Sequence, residues 1–533
     1  MSGTWRTICA LEEILPDTGV AALLGGEQVA IFRLGESETV HAIGNRDPFS
    51  GANVLARGIT GDLGGVSVVA SPVYKQHFSL ATGICLEDAD VSVPLYPARV
   101  FNGAVQVCLT VRAEAAPPRQ RLVMIGNGMA GMRVIEELLR IAPDAYDITV
   151  FGAEAVGNYN RILLSPVLAG EKTMDEIMLH APEWYAEAGI TLHLGEPVTA
   201  IDRIRRTVTS AAGRMVGYDR LLIAAGSSAN RLPIPGAHLP GVLAFRDVRD
   251  VREMQAAALG QGQAVVIGGG LLGLEAAAGL NTQGMQVTVV HGVEVLMERQ
   301  LDAYAAGLLR RSLEALGIRF MMNAMTTEIL GDEMADGGRV RGLRMKMGSG
   351  GDREIPADLV VMTAGIRPNI ELAKAAGLQC GHGIIVDDTM QTYDPRVYAV
   401  GECVQHRSRV YGLVAPLWEQ ARVCAAHLAG AGHLRYPGSV VATRLKVTGI
   451  DLYSAGALHQ EPDTDELVLR DPDSGIYKRI LLRDNRIRGV LLFGDASDAA
   501  WYQQLMETGA DVSRFRDLLL FGPAHADGLD KAA

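Results

Sequence analysis

The sequence predicts a multidomain chain: an all-β module, then two α/β units with parallel sheets, then a small α+β domain. Three observations carry this. A strand, a glycine-rich turn, a helical run and a second strand occur twice in succession, at Arg121–Glu154 and Val265–His291. The first 112 residues are short alternating strands broken by turn residues. The last hundred residues return to that alternation and add one helical run, DAAWYQQLMETGA. Period-two alternation marks half-buried strands, and strands alternating with helices mark a parallel sheet.

Taken in order, the first module reads VAALLGG, EQVAIFRL, TVHAIG, VSVVAS and QVCLTV, as in a small sandwich or barrel. A Pro/Ala-rich polar stretch, RAEAAPPRQ, follows; residues 113–120 are read as a linker. The next unit, RLVMIGNGMAGMRVIEELLR, places Gly126, Gly128 and Gly131 in G-x-G-x-x-G spacing. Its second strand, YDITVFGAE, delivers Glu154 to the strand end, where a carboxylate can hold a ribose hydroxyl. The later unit, AVVIGGGLLGLE, repeats the spacing with Gly268, Gly270 and Gly273 and leads through a helix to QVTVVH, ending at His291. The first glycine permits the tight turn, the second lets backbone approach a pyrophosphate, and the third allows close helix–strand packing. The helix N-terminus then offers free N–H groups to phosphate. One such turn is weak evidence. Two complete units in Rossmann-like context imply two dinucleotides, read as a bound FAD and an exchanging NADH or NADPH. Glu275, in the first turn of the second helix, is a candidate orienter of the nicotinamide half, or else simply an acid at a helix start. His291 stands where an acid would favour NADH and an arginine NADPH; a slight preference for NADH is expected.

The bulk numbers narrow the class. The 533 residues suffice for three or four domains, and 48% apolar composition provides for large cores. A net charge of −12 argues against nucleic acid as a partner. The six cysteines form no C-x-x-C, and no apolar run reaches the roughly 20 residues of a membrane span. MSGTWRTICALEE lacks a secretory core, so a cytoplasmic location is expected.

The stretch NRDPFSG…SPVYKQHFSLATGICLED resembles the Rieske ferredoxin layout, in which C-x-H and C-x-x-H hold a [2Fe–2S] cluster. At the matching places stand Asn45, Asp47, Ser71 and Tyr74. A Rieske-like fold without metal is therefore expected, and His77 alone cannot replace the set. The wording is similar to the small subunit of assimilatory NAD(P)H nitrite reductases. Residues 119–430 resemble the two-dinucleotide flavoprotein reductases, and more narrowly the flavin part of the nitrite reductase large subunit. The matches are IGNGMAG, YNRILLS, LLIAAGS, GGGLLGLE, MERQLD, TAGIRPN, YAVGEC and YGLVAP, in family order.

The resemblance implies domains at 1–112 (Rieske-like), 121–240 with 360–432 (FAD), 241–359 (NAD(P)H) and 433–533 (interface). It implies flavin contacts from Arg161, Ser165, Gly226, Gly401, Glu402, Ala415 and Pro416, and a nicotinamide-side contact from Gly365. Glu402 departs by one carbon from the Asp that related reductases place against the ribityl chain. LKVTGIDLYSAG and GVLLFGD extend the likeness, but no C-x₅-C-x₃-C-type cluster follows before FGPAHADGLDKAA. The expected function is an electron-input component of nitrite or nitrate reduction, with a catalytic reductase as redox partner and a homodimer expected. The alternatives are a ferredoxin- or rubredoxin-type NAD(P)H reductase and a non-catalytic regulatory flavoprotein.

Overall fold

The computed structural model describes residues 5–108, 119–332, 338–431, 434–459 and 461–526. Most of the expected linker, 113–118, and the expected boundary at 432/433 lie outside them. The chain divides into two compact units, Met1–Pro118 and Arg119–Ala533.

The first unit is built from antiparallel strands in three small sheets. The strand Glu27–Arg33 shows why its alternation matters. Val29 and Ile31 enter one core with Val40, Val105 and Val107, while Ala30 and Phe32 point to the opposite face and enter a second with Val69, Phe78 and Leu80. A strand buried on both faces thus joins the main sheets to the hairpin Ile59–Leu63/Val66–Ala70.

In the second unit, two five-stranded parallel sheets carry the glycine turns. The first runs Ile190–His193, Tyr146–Phe151, Gln120–Ile125, Arg220–Ile223, Val397–Ala399. The second runs Val242–Ala244, Leu359–Met362, Gln263–Ile267, Gln286–Val290, Arg319–Met321. Their central strands, LVMI and AVVI, are buried without alternation because helices cover both faces. Each fully buried Val, Leu or Ile there contributes about 1.5–3 kcal/mol. Leu359–Met362 pairs inside the second sheet, so the chain leaves it after residue 362, slightly later than the expected boundary at 359/360. The outgoing and returning crossings, Ser227–Ala229 and Ile366–Pro368, pair antiparallel with each other.

The C-terminal part is a five-stranded antiparallel sheet, Ala442–Arg444, Leu452–Gly456, Arg486–Phe493, Ile476–Arg483, Asp465–Asp471, with the helix Ala499–Thr508 against it. Lys478, 6% exposed, reaches Asp495 at 2.8 Å and Asp498 at 3.7 Å. The Lys478 bond, with help from Ser497, holds the Asp495 carboxyl down at about 2. A depressed carboxyl stabilises the fold above its unfolded value, near 4, and that contribution disappears as pH falls toward 2. Asp495→Asn is expected to cost about 1 kcal/mol at neutral pH, after allowing for screening of a carboxylate one-third exposed, and only a small fraction of that at pH 2. Thermal melts of the two proteins between pH 7 and 2 check this; a constant gap would reject it.

Candidate functional site

Both glycine turns sit at the C-terminal ends of central strands, where parallel sheets bind ligands. At the first, Gly126 has φ 104°, and a Cβ there would meet the Ala224 carbonyl oxygen at 2.2 Å. Only glycine fits that approach of two strand ends. Gly128 caps the helix Met129–Ile141 with no side-chain acceptor, and nothing lies within 4 Å of where its Cβ would be. The N–H groups of the first turn are therefore left for an anion. Gly131 stands behind, against Ala224 Cβ and Met124. Gly270 likewise caps Leu271–Thr282 without a side-chain bond and with open space before it. These are cradles for pyrophosphate, so the residues present fit two dinucleotides.

One cavity of about 520 Å³ opens at the first cradle and is reached by the helix that starts at the second. Gly126, Gly128, Glu154, Arg161, Ser165, Gly226, Gly401 and Glu402 line it, as do Leu271, Leu272 and Glu275 from the second helix. Tyr159 donates to Glu154 at 2.8 Å and Arg161 donates to its other oxygen at 2.6 Å. Burial pushes the Tyr159 phenol well above its usual range, so it stays a neutral donor. Asn127 Nδ2 is buried at the first turn without a protein partner, an orphan donor suited to a ligand oxygen.

The opposite wall centres on Arg246. Its guanidinium pairs with Glu402 and donates to Ser227 O at 3.1 Å and Ser227 Oγ at 2.9 Å; Ser227 Oγ donates to Glu402 at 2.8 Å. A capping box places it. Asp247 accepts from the Asp250 N–H at 3.0 Å, and Asp250 accepts from the Arg246 N–H at 2.7 Å. Arg231, Arg249 and Lys446 add positive charge to the lining. None of these was among the expected contacts. The box is legible as D-x-x-D before VREMQAAA, whereas the reach of Arg246 to Glu402 has no local signal.

Several expected residues lie apart from this cavity. Gly268, Gly270, Gly273 and His291 sit at the second turn. There His291 Nδ1 accepts from the Gly269 N–H at 3.1 Å and Nε2 faces the Val295 carbonyl at 3.1 Å, the neutral tautomer satisfying both. Gly365 lies at the return crossing, its carbonyl accepting from the Asn230 N–H at 2.9 Å. Ala415 and Pro416 do not line the cavity. The helix is Val414–Leu428, and Leu413, Val414 and Leu417 form that part of the wall. Cys403 is fully buried with its thiol pushed up to about 11, which fits a packing role.

In the first unit, three of the four cluster positions are closed on themselves. Asp47 accepts from Ser71 Oγ at 2.6 Å and from the Phe49 N–H at 2.9 Å, and Asn45 accepts from the Ala56 N–H at 2.8 Å. All three are buried; Tyr74 is exposed. These residues do not fit an iron–sulfur cluster, and no group of three metal-ligating side chains occurs among the described residues. Nor is any helix among them long and apolar enough to cross a membrane.

Comparison with known proteins agrees part by part. Residues 120–427 match the family described as pyridine nucleotide-disulphide oxidoreductase, 4–108 a Rieske-like [2Fe-2S] domain, and 442–510 the rubredoxin NAD+ reductase C-terminal domain. The chain is 47% identical over 405 residues to a nitrite reductase [NAD(P)H] of Bacillus subtilis, covering 76% of this chain and 49% of that one. It is 46% identical over 380 residues to the assimilatory nitrate reductase electron transfer subunit of the same organism, covering 71% and 48%. It thus spans about half the length of these curated relatives. Among solved structures it resembles the covalent putidaredoxin reductase–putidaredoxin complex, with a TM-score of 0.69 and 27% identity over 78% of this chain and 100% of that one.

Proposed function

Since this chain belongs to the pyridine nucleotide-disulphide oxidoreductase family and is an NAD(P)H-dependent FAD oxidoreductase, we propose that it feeds electrons to a nitrite or nitrate reductase partner. The observation that carries the reading is the single cavity reached by both glycine-turn helices. A bound FAD would supply the exchange between a two-electron donor and one-electron acceptors. The chain's own residues bind and orient. Gly126, Gly128 and the helix start at Met129 hold a pyrophosphate, and Glu154, held by Tyr159 and Arg161, faces a ribose. Glu402 and Arg246 hold the polar chain of the flavin. Gly268, Gly270 and Gly273 admit the nicotinamide coenzyme, with NADH preferred because Gly292, Val293 and Glu294 follow His291 rather than an arginine pair. Proximity in a shared, largely apolar cavity is what the protein contributes to hydride transfer.

The first unit supports a docking role rather than an electron-carrying one. Phe49, Val73 and Tyr74 are exposed around the closed cluster positions, which suits a partner-facing tip. The resemblance to the putidaredoxin reductase complex supports a one-electron carrier as an alternative acceptor.

Anaerobic titration tests the reading. NADH is expected to bleach bound flavin at lower concentration than NADPH, with no iron–sulfur bands beneath the flavin spectrum. Protein that purifies without flavin, or flavin that neither coenzyme bleaches, would sink it. The partner assignment fails separately if the full chain with a nitrite or nitrate reductase catalytic half gives no NAD(P)H-dependent reduction.

A further inference from the structure

The flavin-side cavity has a neighbour. A second cavity of about 270 Å³ lies among the helices Leu164–Ala169 and Leu271–Thr282 and the segment 446–448. Ser165, Glu275 and Lys446 line both cavities and form the partition between them. Glu171, Thr282, Leu316 and Thr448 on the second cavity's wall are exposed, so water reaches it.

Glu275 is the buried acid of that partition, 3% exposed. One carboxyl oxygen accepts from Ser165 Oγ, and the other accepts from the Lys446 N–H at 3.1 Å. Its own helix, LLGLEAAAGLNT, holds no other charge, and Leu164–Ala169 holds none and is followed by Glu171. Segment 446–448 brings the Lys446 ammonium. Burial pushes the Glu275 carboxyl upward, and Ser165 and Lys446 oppose this without cancelling it. A buried acid raised above its ordinary range, in the partition between two cavities, has the properties of a proton carrier.

The reaction needs one. This step rests on the reading of the site as a flavin reductase. NAD(P)H gives NAD(P)⁺, two electrons and one proton, and single-electron acceptors take only the electrons. We propose that Glu275 carries that proton from the dinucleotide cavity to the second cavity. With flavin bound, the Glu275 carboxylate would take up the proton released on flavin oxidation, its O–H bond forming as the donor's N–H bond breaks. That O–H bond then breaks as water in the second cavity takes the proton. Ser165, which bonds the same carboxyl, holds its orientation.

The test bypasses the coenzyme site. Holoprotein is reduced anaerobically by light, then mixed with ferricyanide while flavin absorbance and a pH indicator are followed. In Glu275→Gln, which keeps size and hydrogen-bonding capacity, proton release and flavin reoxidation are expected to slow together by about 100-fold. Ser165→Ala is expected to slow them less. Time-resolved infrared difference spectra of the wild type during reoxidation should show a transient carboxylic acid C=O band that is absent in Glu275→Gln. Wild-type proton release in Glu275→Gln, or no such band in the wild type, overturns the proposal and leaves the flavin-reductase reading standing. Protein without light-reducible flavin overturns both.

Discussion

Replacing Gly273 by alanine is expected to cut the rate of flavin bleaching by NADH about 100-fold while bound flavin is retained. The added Cβ would stand 2.0 Å from the Gly268 carbonyl oxygen and 2.6 Å from Thr363 Oγ1. Neither neighbour can yield. Gly268 is held at φ 121° in the turn, and Thr363 Oγ1 donates to the Ile267 carbonyl at 3.0 Å. The helix Leu271–Thr282 must therefore move off the strand, at about 1–3 kcal/mol of overpacking. Its free N–H groups leave the pyrophosphate position with it. A loss of about 2.7 kcal/mol of positioning corresponds to the 100-fold. The first sheet and its glycine turn are untouched, so flavin stays. Stopped-flow bleaching together with flavin-to-protein ratio checks both halves. Wild-type bleaching would show that the close contact is not needed.

The second large effect is expected at Glu402. In Glu402→Ala the Arg246 guanidinium, 16% exposed, loses its carboxylate, and Ser227 Oγ loses its acceptor. Removing one partner of a buried ion pair costs about 3 kcal/mol, mostly from the charge left behind. Flavin affinity is expected to fall about 100-fold, because the same carboxylate faces the cavity. Glu402→Asp should recover most of the affinity, since the carboxylate is kept and only the reach shortens. Ultrafiltration measures free flavin, and a melting curve reports the stability loss. An alanine variant that holds flavin as the parent does would remove Glu402 from the binding site.

Both expectations use features of very different legibility. Gly273 was readable because its demand is local. A strand, a tight turn and a helix packed within eleven residues leave no room for a Cβ, and the G-x-G-x-x-G spacing records that. The same holds for Gly126, for Glu154 after its strand, and for the capping box before the helix Val248–Ala258. Glu402 is legible only through likeness to other reductases, and the pairing with Arg246 has no local signal. Pro416 marks the start of the helix Val414–Leu428 only loosely, because proline is tolerated throughout a first turn. Glu275 reads as an acid near a helix start, but nothing local records its burial against Ser165 and Lys446.

By itself the sequence determined the two dinucleotide cradles, the β-rich modules on either side of them, and the loss of cluster ligands at Asn45, Asp47, Ser71 and Tyr74. These follow from backbone geometry and side-chain chemistry within short windows. Tertiary structure alone decided which distant groups meet: Arg246 with Glu402, 156 residues apart, and Ser165 with Glu275, 110 apart. The reason is that hydrogen-bond partners across docked domains are chosen by the packing of whole sheets and helices. No run of neighbouring residues carries that information.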